Sequence, residues 1–223
     1  MDGRLRFVLL AVAGLLLSAG CSSSESTEEV ATASINGGES QADIELASVH
    51  TPPVQPDPKV LLRTSAGEIT IQLDLQNAPQ TVDNFLAYVE SGHYDQTIFH
   101  QVAAGYIVLG GGFTSDLTEK PTRRPLRNEA RRTPSNRKAT IAMAREPDII
   151  DSAASQFFFN LADNESLDHQ GRSPDAYGYC VFGKVIAGWD VVEKIAKGKV
   201  ADTEEFEELP NKLVLILSAQ RVE

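Results

Sequence analysis

The chain has little cysteine: Cys21 and Cys180 are the only two among 223 residues, too few for a disulfide framework. With four histidines beside them, nothing in the Cys and His spacing reads as a metal site. Internal repeats are absent, which excludes a solenoid or propeller. No apolar run has membrane-spanning length. The run over residues 7–17 has 11 members, too short to cross a bilayer as a helix. Positive charge is scarce as well. The formal net charge is −11, which argues against general nucleic-acid binding. Residues 22–58 hold seven acids and no Lys or Arg.

What is present divides the chain into three parts. Residues 1–21 read as a secretion signal, with Arg4 and Arg6 before the apolar run. The run ends in Leu17-Ser18-Ala19-Gly20-Cys21, which resembles a bacterial lipobox; Cys21 is then the lipidated first residue of the mature protein. A plain cleaved signal with an incidental Cys21 is the alternative. In a Gram-negative cell, Ser22 after the cysteine implies sorting to the outer membrane, facing the periplasm. Residues 22–58 are Ser- and Glu-rich and end in a Pro-rich stretch, a composition that supports no core. As a flexible tether their r.m.s. span is about 35 Å.

Residues 59–223 carry the domain. With 42% hydrophobic and 23% charged residues in the whole chain, a sizeable core is expected. Residues 59–64 and 68–73 read as a hairpin around Ser65-Ala66-Gly67, with Ile69, Ile71 and Leu73 alternating against Thr70 and Gln72. Pro79 suits the first turn of a helix, and Val82, Phe85, Leu86 and Val89 recur at its spacing before Gly92 stops it. Residues 120–138 hold eight basic residues and one acid, Glu129, among three prolines, and read as surface loop. Strands are expected over 139–145, 156–161, 180–185 and 213–222, a helix over 189–197, and acidic loop over 202–208. Many short strands with two isolated helices predict a closed antiparallel barrel with its ends covered by the helices. Cys180, inside an apolar strand, reads as a small buried hydrophobe.

The centre of this domain runs from Thr97 to Phe113. Two apolar strands, 98–102 and 106–109, flank an Ala-Ala-Gly turn, and Gly110-Gly111-Gly112 then allow a bend or close approach. Further on stands Ser155-Gln156-Phe157-Phe158-Phe159-Asn160. Phe99-His100-Gln101, Gly105-Tyr106-Ile107 and Leu109-Gly110-Gly111 fall in the frame of the cyclophilin signature. Asn128-Glu129-Ala130, Ala142-Met143-Ala144-Arg145, Gln156-Phe157-Phe158 and Gly178-Tyr179-Cys180-Val181-Phe182 follow in order. Together they resemble the bacterial branch of the cyclophilin peptidyl-prolyl isomerases over nearly all of 59–223. The resemblance implies a mainly β fold, an eight-stranded antiparallel barrel capped by two helices.

It also implies a site. The proline-ring pocket falls at Tyr106, Ile107, Phe158 and Leu167, with Ala144, Arg145 and Gln156 along the adjoining groove. Tyr179 stands where many members carry His, and Ser166 where many carry Trp. His100 belongs to the signature and reads as structural. Two polar residues of the pattern are gone: Gln101 stands at the catalytic Arg position, and Leu109 replaces a Gln. Without the signature frame, these apolar residues read as plain core.

The implied chemistry needs no nucleophile, metal or cofactor. Amide resonance sets a rotation barrier of ~18–20 kcal/mol, and X–Pro exchange takes tens to hundreds of seconds unaided. A catalyst holds the proline ring and aims a donor at its nitrogen, so that nitrogen leaves conjugation. Gln101 is a neutral donor, and charge-assisted bonds are roughly twice as strong. The expected protein is therefore a monomeric, membrane-anchored isomerase of proline-containing polypeptides, with reduced activity and with Arg145 or the arginines of 123–132 as candidate replacement donors. A non-catalytic prolyl-peptide binding module, or chaperone-like lipoprotein, is the alternative from another class. A third reading uses the barrel only as a scaffold.

Overall fold

A computed structural model describes residues 56–223. The expected signal, lipobox and most of the tether, Cys21 included, lie outside the described residues. Eight strands close a barrel: β1 (Lys59–Thr64), β2 (Gly67–Leu73), β3 (Thr97–Ala103), β4 (Ile107–Thr114), β5 (Thr140–Met143), β6 (Phe157–Asn160), β7 (Val181–Ala187) and β10 (Leu215–Val222). Two further strands, β8 (Val200–Ala201) and β9 (Leu209–Pro210), form a small separate ladder. The order around the barrel is β1-β10-β3-β4-β6-β5-β7-β2, every pair antiparallel. The expected eight-stranded barrel with two helices is what the chain forms.

Helix α1 (Pro79–Glu90) buries Val82, Phe85, Leu86 and Val89, the stripe that its periodicity predicts. Its N-cap, Ala78, offers no side-chain acceptor. The buried carboxylate of Glu129 takes that role from the distant basic loop, accepting from the Thr81 N–H at 2.9 Å and the Thr81 hydroxyl at 2.8 Å. Helix α2 (Trp189–Ala196) turns Val191, Val192 and Ile195 inward. Both helices feed one core inside the barrel. Phe85 sits at its centre, with ring centroids 5.1 Å from Tyr94, 5.7 Å from Phe157 and 5.0 Å from Phe182, the first and last tilted and the second edge-on.

Several strand boundaries differ from the sequence expectation, β5 ending at Met143 rather than 145 and β7 running on to Ala187, and two differences have physical reasons. Strand β4 does not stop at Leu109 but runs through all three glycines to Thr114. The glycines are close-approach positions: a Cβ on Gly110 would lie 2.7 Å from the Phe99 ring, and one on Gly112 would lie 2.6 Å from the Gln156 side chain. Around the acidic loop, the two-residue strands β8 and β9 are too short to show any period. Phe206 anchors that loop, its ring 5.0 Å from Phe113, which in turn lies 4.7 Å from the buried His100 ring.

Candidate active site

Strand pairing sorts the site from the core. One cross-strand row runs Phe99, Gly110, Phe157, Met143; the next but one runs Val102, Val108, Phe159, Ile141. Except for the glycine, all of these residues belong to the interior core. Between them lies a row of opposite facing: Gln101, Leu109, Phe158, Ala142 and Val181, on five neighbouring strands. Four of these five join a second, separate apolar cluster with Ala103, Ile107, Ala144 and Leu167, and Tyr106 and Tyr179 pack against it. The fifth, Gln101, stands at the end of the row.

That cluster gathers seven of the residues expected in the site: Tyr106, Ile107, Leu109, Phe158, Ala144, Leu167 and Tyr179. Ile107, Leu109 and Phe158 are buried, while Tyr106 and Tyr179 are half-buried. The Phe158 and Tyr179 rings meet edge to face at 5.7 Å. Burial pushes both tyrosine hydroxyls above their usual range; a bond from Ser166 opposes this at Tyr106, and the Arg145 charge opposes it at Tyr179. Ala144 also borders the neighbouring cleft of about 250 Å³, lined by Arg145, Gln156, Glu119 and Glu146 among others. The Ala144 N–H donates to the Gln156 carbonyl at 2.9 Å, tying the two walls together.

Gln101 is buried, with its side-chain amide beside the carboxyl of Glu208, whose pKa burial pushes above its usual range while the Gln101 amide opposes the shift. The backbone completes this contact, with the Val102 N–H donating to the Glu208 carbonyl at 3.1 Å. Arg145 is committed elsewhere. Its Nε donates to the Gly178 carbonyl at 3.0 Å, its Nη1 to the carbonyls of Glu146 and Pro147 at 2.8 Å each, and its Nη2 to the Pro174 carbonyl at 2.5 Å. The guanidinium lies 4.8 Å from the Tyr179 ring centroid. It acts as a clip that fixes the Tyr179 wall.

His100 is buried, and that burial lowers its pKa to about 4, so it is neutral at pH 7. Cys180 is buried beside the Thr81 hydroxyl at 3.3 Å, and burial pushes its thiol up to about 12.

Sequence reasoning missed two features. Glu208 lies far along the chain from Gln101, and nothing in its acidic surroundings marks it as a partner. A buried amide network also escaped notice. Asn164 Nδ2 donates to Asn160 Oδ1 at 2.8 Å and to the Tyr106 carbonyl at 2.9 Å; Asn160 Nδ2 donates to Asn136 Oδ1 at 3.1 Å; Asn136 Nδ2 donates to the Leu167 carbonyl at 3.1 Å. This network holds the short 3-10 turn Glu165–Leu167 against the β3–β4 turn carrying Tyr106 and the strand carrying Phe158.

Comparison with known proteins identifies the family and the fold. The family model described as cyclophilin type peptidyl-prolyl cis-trans isomerase/CLD matches residues 59–221. Over 161 residues the chain is 47% identical to peptidyl-prolyl cis-trans isomerase cyp18 of Streptomyces antibioticus, covering 72% of this chain and 96% of that one. It is 48% identical to peptidyl-prolyl cis-trans isomerase A of Dickeya dadantii, covering 72% and 83%. A cyclophilin type isomerase of Cryptosporidium parvum, crystallised in the presence of the dipeptide Ala-Pro, shares the fold with a TM-score of 0.60 at 24% identity, covering 72% and 96%. The chain belongs to the cyclophilin-type peptidyl-prolyl cis-trans isomerase family, and it is an enzyme of that class.

Proposed function

We propose that the outward cluster around Phe158 receives a proline ring of a polypeptide and that Gln101 acts on the adjoining peptide bond. The observation that carries this reading is the cross-strand row placing Gln101 and Phe158 on one face, with Leu109 between them. Ile107, Leu109, Phe158 and Leu167 form an apolar floor, and Tyr106 and Tyr179 its rim. Such a floor anchors the ring and leaves the preceding carbonyl free to swing. An amide donor near the proline nitrogen favours the twisted, unconjugated state and so lowers the barrier.

Turnover is reduced in this reading. Gln101 is neutral, and its amide stands beside the Glu208 carboxyl. Replacing a charged donor by a neutral one costs ~1.5–3 kcal/mol of transition-state stabilisation, about a 10- to 200-fold loss in rate. The second reading, a prolyl-peptide binding role with little catalysis, draws on a different observation: Arg145, the candidate replacement donor, is committed to four carbonyls. Turnover of a short X-Pro peptide by the full-length protein decides between them. Catalysis below that of ordinary cyclophilins supports the first; tight peptide binding with no catalysis supports the second.

The protein works in this proposal as a monomeric lipoprotein of the outer membrane facing the periplasm, assisting the folding of extracytoplasmic polypeptides. The support is the Leu-Ser-Ala-Gly-Cys21 sequence after a short apolar run, followed by Ser22 and an acidic, Pro-rich tether. Stable attachment follows from several acyl chains on one cysteine. Cys21→Ser releases the protein from the membrane fraction or blocks its maturation; unchanged fractionation overturns the anchor.

A further inference from the structure

Acids outnumber bases in this chain by 31 to 20, yet Arg127, Arg131 and Arg132 converge on one cleft of about 460 Å³, with Gln80 and Tyr177 on its walls. Gln80 belongs to the first turn of α1, whose N-terminal end adds partial positive charge. The acid within the cleft, Glu129, is spent internally. One carboxylate oxygen serves Thr81, and the other accepts from Arg132 Nη2 at 3.1 Å. Arg127 and Arg131 have no ion-pair partner among the described residues, and both are exposed. Two unneutralised guanidinium groups thus face the same concavity in an acidic protein.

Two residues, Arg131 and Tyr179, link the cleft to the candidate prolyl site. Arg131 also lines a smaller recess together with His169 and Tyr179, and Tyr179 is the rim of the apolar cluster. The acid of that recess, Asp168, is likewise consumed, accepting from Ser135 Oγ at 2.5 Å, the Asn136 N–H at 2.7 Å and Asn136 Nδ2 at 3.0 Å. A path therefore leads from Tyr179 past Arg131 to Arg127 without a free carboxylate facing it among these residues.

We propose that the arginine cleft is a subsite for an acidic stretch of the same polypeptide whose proline occupies the Phe158 cluster. This rests on the prolyl-site reading given above. Asp and Glu side chains are the fitting ligands, because guanidinium groups bind carboxylates through paired donors. The concave shape and the link through Arg131 favour a peptide over a flat anionic lipid surface. Arg132 is excluded from the binding pair, since it is occupied by Glu129.

The test uses full-length protein and X-Pro peptides of equal length. One set carries a Glu-Glu pair at successive offsets on either side of the proline, and the matched set carries Ser-Ser. At low salt, one offset should lower KM about fivefold for the acidic peptide, as expected for two partly exposed ion pairs. Added salt should erase the difference by screening. The Arg127→Ser/Arg131→Ser double variant should lose this preference while turning over the Ser-Ser peptide as before. Equal KM at every offset, or a preference that survives in the variant, overturns the subsite and leaves the isomerase reading standing. If no peptide is turned over, catalysis fails as a reading, and fluorescence titration of the same labelled peptides decides the subsite by the same preference. Variant-sensitive co-sedimentation with phosphatidylglycerol vesicles, without any peptide preference, makes the patch a lipid contact and overturns the proposal.

Discussion

Gln101 on β3 and Leu109 on β4 stand directly opposite one another across the barrel ladder. These are the two positions where the chain departs from the polar pattern of the cyclophilin signature. Opposed residues of an antiparallel pair share a face with Cβ atoms about 4.5–5.5 Å apart. In the proposed reading the two departures are one local change: the donor at 101 lacks a charge, and its neighbour at 109 lacks the group that would orient it. Gln101→Arg should raise turnover of a short X-Pro peptide about tenfold, mostly in kcat, because charge matters most when the amide is twisted. Glu208, beside Gln101, would give the new guanidinium a carboxylate partner. Adding Leu109→Gln should increase the gain beyond the product of the single effects. Rates for the parent, both single variants and the double variant check this. Purely independent effects would remove the coupling argument.

Phe157 and Phe158 are sequence neighbours with opposite duties. Phe157 packs against Phe85, Tyr94 and Phe99 inside the barrel, whereas Phe158 faces the outer cluster against Tyr179. Both substitutions to Ala should destabilise the fold by ~3–5 kcal/mol, with Phe158→Ala at the low end because its cluster is smaller. Only Phe158→Ala should abolish binding of an Ala-Pro-type peptide while the protein remains folded. Denaturant unfolding and peptide titration separate the two effects. Equal loss of affinity in the two variants would mean that the outer cluster is not the pocket.

The Phe-Phe-Phe run shows where the sequence was legible and where it was not. Alternation identified β2, since Ile69, Ile71 and Leu73 face in while Thr70 and Gln72 do not. In β6 all four residues are buried, so period alone could not say which aromatic faces outward; the signature frame singled out Phe158 instead. The pocket set Tyr106, Ile107, Leu109, Leu167 and Tyr179 came by the same route and assembles into one cluster. The Gln101–Glu208 contact and the Asn136–Asn160–Asn164 network stayed hidden. Each joins residues distant in sequence through single polar atoms, which leave no periodic trace.

His100 makes stability pH-dependent. Its pKa in the folded protein is lowered from 6.5 to about 4, chiefly by desolvation. Between those values the unfolded chain binds the proton and the folded chain does not. Stability is therefore intact above pH 6.5 and is lost as pH falls toward 4, by about 3 kcal/mol in total. His93, lowered chiefly by burial and then by Lys120, adds in the same direction. In His100→Phe the slope of unfolding free energy against pH should flatten in this window, whatever the absolute stability. A slope equal to the parent's would assign the acid sensitivity to other groups.

Asn160 holds the site together from beneath. It is fully buried, donates to Asn136 Oδ1 and to the Thr140 hydroxyl, and accepts from Asn164. Asn160→Ala leaves these partners unsatisfied and should cost ~2–3 kcal/mol. Because the network anchors the Leu167 turn, KM for an X-Pro peptide should rise more than kcat falls. A stability loss with unchanged KM would show that the turn keeps its position without the network.

Arg145 gives the sharpest division between a structural and a catalytic role. Four carbonyl oxygens and the Tyr179 ring account for its guanidinium, and it is 6% exposed. As a clip, it fixes the 174–178 segment and the Tyr179 wall without touching substrate. Arg145→Ala then strands those carbonyls and should destabilise the protein by ~2–4 kcal/mol, with faster amide exchange around residues 174–179. Arg145→Lys keeps the charge but presents three donors from one atom, which cannot match the planar fork, so it should behave much like Ala. In both variants KM should rise, and the remaining kcat should stay within a few-fold of the parent. A donor role predicts the reverse: kcat abolished by Ala, partly kept by Lys, and stability unmoved. If that second pattern is measured, the charge missing at Gln101 is supplied by Arg145, and Gln101→Arg should bring no gain.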